Sequence, residues 1–175
     1  MTTRLNRFAF FVVGAALAGH VESSNAQDVP KANPDAKILL QVVGHVAQPL
    51  SLSEDQLAKL PRQTVRAKGH DGVEAQFEGV PVIEILAKAG VPTGQALRGP
   101  AMAHYVVVEA ADGYRATFAV AELDLAFTDR VTLLADHRDG KPLSAQSGPL
   151  QIIVPGEKKH ARWVRQVITL KVGRG

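Results

Sequence analysis

Three Asp-Gly pairs, Asp71-Gly72, Asp112-Gly113 and Asp139-Gly140, lie among short apolar, strand-like runs. A two-residue loop of this type favours positive φ and matches the twist of two flanking antiparallel strands. Thr64 to Lys68 and Val73 to Phe77 bracket the first pair; Tyr105 to Ala110 and Tyr114 to Phe118 bracket the second. Val131 to Ala135 runs toward the third, and Ile38 to Val43, Leu150 to Val154 and Val167 to Val172 read as further strands. Two helices interrupt them. Ser53 with Gln56 three residues on is a capping box, Leu57 and Leu60 face a core, and Pro61 stops the segment. Gly79-Val80-Pro81 opens the second, with Val82, Ile83, Leu86 and Ala87 as its buried stripe and Gly90 as its stop. Ala119 to Leu123 reads as a third, shorter helix. The expected class is α+β, mainly antiparallel β with two or three short helices.

The first 26 residues read as a secretory signal peptide. Arg4 and Arg7 precede an apolar stretch from Phe8 to Gly19, too short to span a bilayer, and Ser24-Asn25-Ala26 supplies small residues for cleavage. Residues 27–37 are polar with two prolines and read as a flexible leader. Residues 38–175 then form one domain, and its roughly 140 residues suffice to bury about two-thirds of the unfolded surface. A periplasmic or secreted location follows, with no integral membrane span after cleavage. The chain has no cysteine, which removes thiolate nucleophiles and thiolate metal sites. Its net charge of +3 comes from interspersed cations and carboxylates with few aromatics, so no nucleic-acid partner is expected.

The cations gather late in the chain. Leu150 to Val154 stops at Pro155-Gly156, and Lys158, Lys159, His160, Arg162 and Arg165 follow. Ammonium and guanidinium groups beside a tight turn suit an anionic ligand. The motif series Gly44-His45-Val46, Leu60-Pro61, Phe77-Glu78-Gly79-Val80-Pro81, Asp112-Gly113-Tyr114 and Asp139-Gly140-Lys141-Pro142-Leu143 leads to Gly148-Pro149-Leu150, Val154-Pro155-Gly156 and Arg162-Trp163-Val164. In that order, it resembles the molybdopterin-binding domain of the sulfite oxidase and eukaryotic nitrate reductase family. The resemblance implies that family's mixed fold, and a pocket where basic residues after the Pro-Gly corner grip the pterin and its phosphate. Carried over by position, the cofactor contacts are Lys158, His160, Arg162 and Arg165, with Gly69, His70 and Tyr114 nearby.

One departure bears on chemistry. The resemblance implies a cysteine ligand to molybdenum in a Cys-x-Gly-Asn-like stretch, which here reads Ala67-Lys68-Gly69-His70. The family's histidine before its Gly-Pro stretch is replaced by Ser147. Imidazole is a poor substitute for thiolate on a high-valent metal. The expectation is therefore a binding domain for molybdopterin or another small anion, with no cysteine-ligated molybdenum. The alternatives are an active molybdopterin-dependent oxidoreductase subunit, or a non-catalytic protein partner in a periplasmic redox or signalling complex. Trp163 is expected to pack on the core, Asp112 to bond its own turn, Tyr114 to be half-buried and Arg115 exposed. No histidine pair sits at a recognisable ligand spacing, and no serine lies in a nucleophile-elbow context.

Overall fold

The computed structural model describes residues 37–175; the expected signal peptide and all but the last residue of the leader lie outside the described residues. Ten strands and two α-helices follow in order: β1 (Ile38–Gly44), β2 (Leu50–Ser53), α1 (Glu54–Ala58), β3 (Gln63–Lys68), β4 (Glu74–Pro81) and α2 (Val82–Lys88). Then come β5 (His104–Ala110), β6 (Arg115–Ala119), β7 (Leu133–Arg138), β8 (Lys141–Pro142), β9 (Gln151–Ile153) and β10 (Val167–Arg174). Four short 3-10 turns lie in three of the connections. No helix among the described residues is long and apolar enough to cross a membrane.

The strands form two five-stranded sheets. The first has the order β2-β1-β10-β5-β6; the second runs β3-β4-β7-β8, with β9 also paired to β7. The ladders are antiparallel except β1 with β10, which is parallel. A mainly antiparallel α+β fold is what the Asp-Gly pairs predict. Each of those pairs closes a hairpin. At the third, Asp139 and Gly140 take φ of 51° and 74° while Arg138 and Lys141 pair across the turn, the geometry of a two-residue loop with both central residues left-handed. At the second, the Tyr114 N–H donates to Asp112 Oδ1 at 2.9 Å, so Asp112 bonds its own turn.

The inward faces of both sheets and of α2 supply one apolar cluster. Leu40, Val42, Val106, Val108, Phe118, Leu133, Ile152 and Leu170 are fully enclosed in it. In β10 the buried residues Val167 and Leu170 are three apart, which a simple pleat forbids. A register shift between Val167 and Thr169 inserts the extra residue that returns Leu170 and Val172 to the core face. Gly79 marks a close approach: a Cβ there would stand 2.1 Å from the Leu134 carbonyl oxygen, where β4 and β7 also shift register.

Both expected helices form, with altered details. The Ser53 N–H donates to Gln56 Oε1 at 2.9 Å, the back half of a capping box, and Leu57 is buried. In the second, Gly79-Val80-Pro81 completes β4, and Pro81 stands just before the helix instead of inside its first turn. The buried stripe is Val82, Ile83, Ile85 and Leu86; Ala87 is exposed, a correction to the expected face. A seven-residue helix wedged under a strand buries nearly two sides, so one heptad-like stripe does not describe it. The third expected helix is a single 3-10 turn at Val120–Glu122.

Candidate functional site

Three loops meet beyond the ends of the second sheet. They are the β3–β4 turn at Gly69 to Asp71, the β7–β8 hairpin with the segment to Ser147, and the stretch from Glu157 to Gln166. Local bonds hold each in shape. Gly69 donates to the Val73 carbonyl at 2.9 Å, and Val73 donates to Asp71 Oδ1 at 3.0 Å. Arg138 donates to Asp71 Oδ2 at 2.7 Å, tying the β3–β4 turn to the β7–β8 hairpin. Gly69 is buried under this pair: a Cβ on it would lie 2.7 Å from Asp71 Oδ1. Gln166, at φ 48°, donates its N–H to the Ser147 carbonyl and its side-chain amide to the Ala145 carbonyl, both at 2.9 Å. The third loop is thereby fixed to the second.

Trp163 is the hub. It is buried, and its Nε1 donates to the Val154 carbonyl at 3.0 Å. Its ring meets Phe77 edge-on at 5.7 Å and His160 at 4.3 Å, and the His70 and His160 rings are 4.8 Å apart. Edge and tilted contacts of this kind fix ring orientation at modest energy.

Two clefts flank this cluster. One, of about 510 Å³, is lined by Gly69, His70, Arg138, Lys141, Trp163 and Arg165 among others. The other, of about 310 Å³, is lined by Asp112, Tyr114, His160 and Gln166 together with the same His70, Trp163 and Arg165. Those last three, with Gln146, which also lines both, therefore form a dividing wall. Arg165 is exposed and has no ion-pair partner among the described residues, and the same holds for Lys141. Arg138 is charge-paired with Asp71, whose carboxyl that hydrogen bond and the Val73 N–H hold below the usual carboxylate range. Burial against its neighbours, then the charge of Arg165 and of His160, push the His70 imidazole below its ordinary value. Among the described residues no group of three or more His, Asp or Glu side chains is placed to hold a metal ion.

The residues singled out from the sequence separate into two sets. Gly69, His70, His160, Tyr114 and Arg165 converge on the two clefts. Lys158 is exposed and lines neither, and Arg162 lines neither. Arg162 is committed elsewhere. Its Nη1 donates to both oxygens of Glu122 at 2.9 and 3.0 Å, its Nε and Nη2 donate to Glu157, and its guanidinium lies 4.6 Å above the Phe118 ring. Burial works against its charge, but the two glutamates outweigh that and raise its pKa further. Tyr114 is half-buried, as expected, and its hydroxyl donates to the Ala161 carbonyl at 2.6 Å, which braces the basic loop against the β5–β6 turn. Arg115 is exposed and pairs with Glu109.

Sequence reasoning left out Arg138, Lys141 and Gln146. The signal for the first two was present: a two-residue turn at Asp139-Gly140 makes Arg138 and Lys141 direct cross-strand neighbours.

Residues 26–173 match the family model of the oxidoreductase molybdopterin binding domain. The chain belongs to that family. Among curated proteins it is 28% identical over 148 residues to the uncharacterized oxidoreductase YuiH of Bacillus subtilis (strain 168), covering 80% of this chain and 69% of the relative. Among solved structures it is similar in fold to the sulfane dehydrogenase SoxCD from Paracoccus pantotrophus, with a TM-score of 0.60 and 23% identity over 76% of this chain. The chain spans only 37% of the length of that solved chain.

For a molybdopterin-binding domain, the donor set is divided. Cations with no protein counter-charge and a polar cleft beside an aromatic wall fit the anionic, ring-bearing organic part of such a cofactor. Position 67 does not fit a metal held by protein sulfur. Ala67 is a buried β3 residue on the same face as Val65, paired with Ala75, and its methyl group offers no lone pair. Nowhere else in the chain is there a cysteine to replace it.

Proposed function

We propose that this chain is an exported, molybdopterin-binding oxidoreductase-like domain that holds a pterin or another small anion in the larger cleft. Molybdenum bound through a protein thiolate plays no part in this reading. A single observation carries it: Arg165 and His70, from loops almost a hundred residues apart in sequence, share one wall of a cleft whose opposite hairpin brings Lys141. Arg165 supplies a fixed positive charge with five donors in a plane, suited to two oxygens of one phosphate or carboxylate. Lys141 supplies a second charge, His70 supplies flat surface backed by the buried Trp163, and the Arg138–Asp71 pair keeps the Gly69 turn in place. Charge-assisted bonds contribute roughly 1.5–3 kcal/mol each, so two or three offset much of what immobilising a ligand costs. Micromolar binding, about 8 kcal/mol, then also requires ring packing against the aromatic wall.

The decisive experiment is metal analysis and cofactor extraction on protein purified from its native compartment, beside the Arg165→Ala and Lys141→Ala variants. The reading expects an organic anion retained with little molybdenum, and at least tenfold lower retention in the Arg165→Ala variant. Stoichiometric molybdenum, or unchanged retention in both variants, would overturn it.

A further inference from the structure

A separate hollow of about 410 Å³ shares Pro142 and Leu143 with the larger cleft but none of its cations. Leu39 and Pro149 complete its apolar walls, together with the buried Leu57 and Leu150. The other lining residues are Lys37, Glu54, Asp136 and His137. The last two end a chain of hydrogen bonds. Arg62 donates from Nη1 and Nη2 to the two oxygens of Asp136, at 2.9 and 2.6 Å, and from Nε to Glu78 at 2.8 Å. His137 Nδ1 donates to Asp136 Oδ1 at 2.7 Å. Burial works against the Asp136 charge, but the bonds from Arg62 and His137 outweigh it and hold the carboxyl below the usual carboxylate range. An ionised carboxylate only accepts, so the proton of the neutral His137 ring stands on Nδ1 and the lone pair on Nε2. No side chain or backbone group among the described residues donates to that Nε2. No hydroxyl side chain lines the hollow, so the fixed imidazole has no nucleophile to activate. Lys37 and Glu54 are exposed and opposite in sign, and Asp136 is neutralised by Arg62, so an ion finds no net charge there.

We infer that this hollow binds a neutral phenol-class ligand, its ring between the leucine and proline walls and its hydroxyl donating to His137 Nε2. An apolar site with one placed polar group is the usual form of a small-molecule cleft. A phenolic O–H is more acidic than an aliphatic one and is the better donor to a single fixed acceptor. A hydrocarbon would strip water from Nε2 and leave it unpaired. A carboxylate ligand would set an acceptor against an acceptor, beside Glu54. Asp136 and Arg62 are positioning residues: they fix the tautomer and aim of the imidazole, as a carboxylate on the far nitrogen does. This site is independent of the anion in the larger cleft.

The test is calorimetric titration of the purified protein with p-cresol, toluene and 4-methylbenzoate, which share one body and differ in the polar group. Long-range proton–nitrogen spectra of the histidine rings accompany it. We expect p-cresol to bind about tenfold more tightly than toluene, the size of one hydrogen bond to an otherwise unpaired acceptor, and more tightly than 4-methylbenzoate. The His137 Nε2 resonance shifts with p-cresol and stays in place with toluene. His137→Ala brings p-cresol down to the toluene level; Asp136 keeps Arg62 in that variant, so the fold is retained. Asp136→Asn removes the acceptor that holds the Nδ1 proton, so it weakens p-cresol and raises the fraction of ring protonated on Nε2 in the same spectra. Equal affinity for p-cresol and toluene, or p-cresol binding unchanged in His137→Ala, overturns the site. Tighter binding of 4-methylbenzoate overturns the ligand class. Loss of p-cresol in His70→Ala but not in His137→Ala moves the phenol to the larger cleft and overturns the inference while leaving the anion reading open to its own test.

Discussion

Arg162 and Arg165 are three residues apart in one basic stretch, yet the structure gives them opposite tasks, and their alanine variants should separate cleanly. Removing the Arg162 side chain breaks contacts to two glutamates and leaves Glu157, whose side chain is only 13% exposed, without its cation. Breaking a fully buried pair costs roughly 3–5 kcal/mol, and an exposed one about 0–1 kcal/mol. Arg162 and Glu122 are each about a third exposed, at 30% and 32%, so solvent screens part of the effect. The lost stacking on Phe118 adds a contribution of order 0.5–1 kcal/mol. The expected loss is therefore about 2–3 kcal/mol, or a fall in melting temperature of about 10 °C for a domain of this size. Arg165→Ala should change stability by less than about 0.5 kcal/mol, because an exposed side chain with no partner leaves nothing uncompensated. Urea denaturation of both variants, with anion titration of each under folding conditions, measures the contrast. A Glu157→Gln variant combined with Arg162→Ala should lose less than the two single effects together, since they share one network. If Arg162→Ala folds as stably as the parent and loses the anion, the assignment of Arg162 to scaffold and Arg165 to ligand is wrong.

Other outcomes follow from the same geometry. Gly79→Ala should destabilise by more than about 3 kcal/mol in chemical denaturation, because the new Cβ meets backbone, which cannot rotate away. Trp163→Phe should lose about 1–2 kcal/mol, since the Val154 carbonyl is left buried without its donor. Anion affinity should rise as pH falls from about 7.5 to 5.5, because an anion favours the protonated His70 that burial and Arg165 disfavour in the free protein. His70→Ala should flatten the profile. Without ligand the sign reverses for folding: the depressed His70 pKa means the unfolded chain takes up protons first, so His70 lowers stability as pH drops through and below about 6.5. Ala67→Cys, expressed where molybdenum cofactor is made, should raise the metal content above that of the parent protein; no increase would mean that position 67 is not where the thiolate of the family stands.

The hairpins were legible because a turn's chemistry is local: two residues with positive φ decide the direction of the strands beside them. Long-range pairing was not. Nothing in Ile38 to Val43 announces that β1 runs parallel to β10, and β8, two residues long, has no pattern of its own. The α2 stripe failed at Ala87 for a related reason. Its environment is set by β4 and by the cluster around it, and a short helix carries too few turns for periodicity to speak. At the site, position in the motif series pointed to loops that do meet, and His70 with Arg165 line the same clefts. What the series omitted was competition. Glu122, forty residues from Arg162 in sequence, captures that guanidinium, and no reading of the basic stretch alone reveals a rival anion brought in by the 3-10 turn after β6.

The place of β10 has a kinetic consequence. It lies in the middle of the first sheet, with β1 and β2 on one side and β5 and β6 on the other. Until Val167–Arg174 leaves the ribosome, the two halves have no strand to join them, and their inner edges stay open. Assembly therefore waits for β10, and a ribosome stalled short of residue 167 holds a chain able to make hairpins but not a closed core.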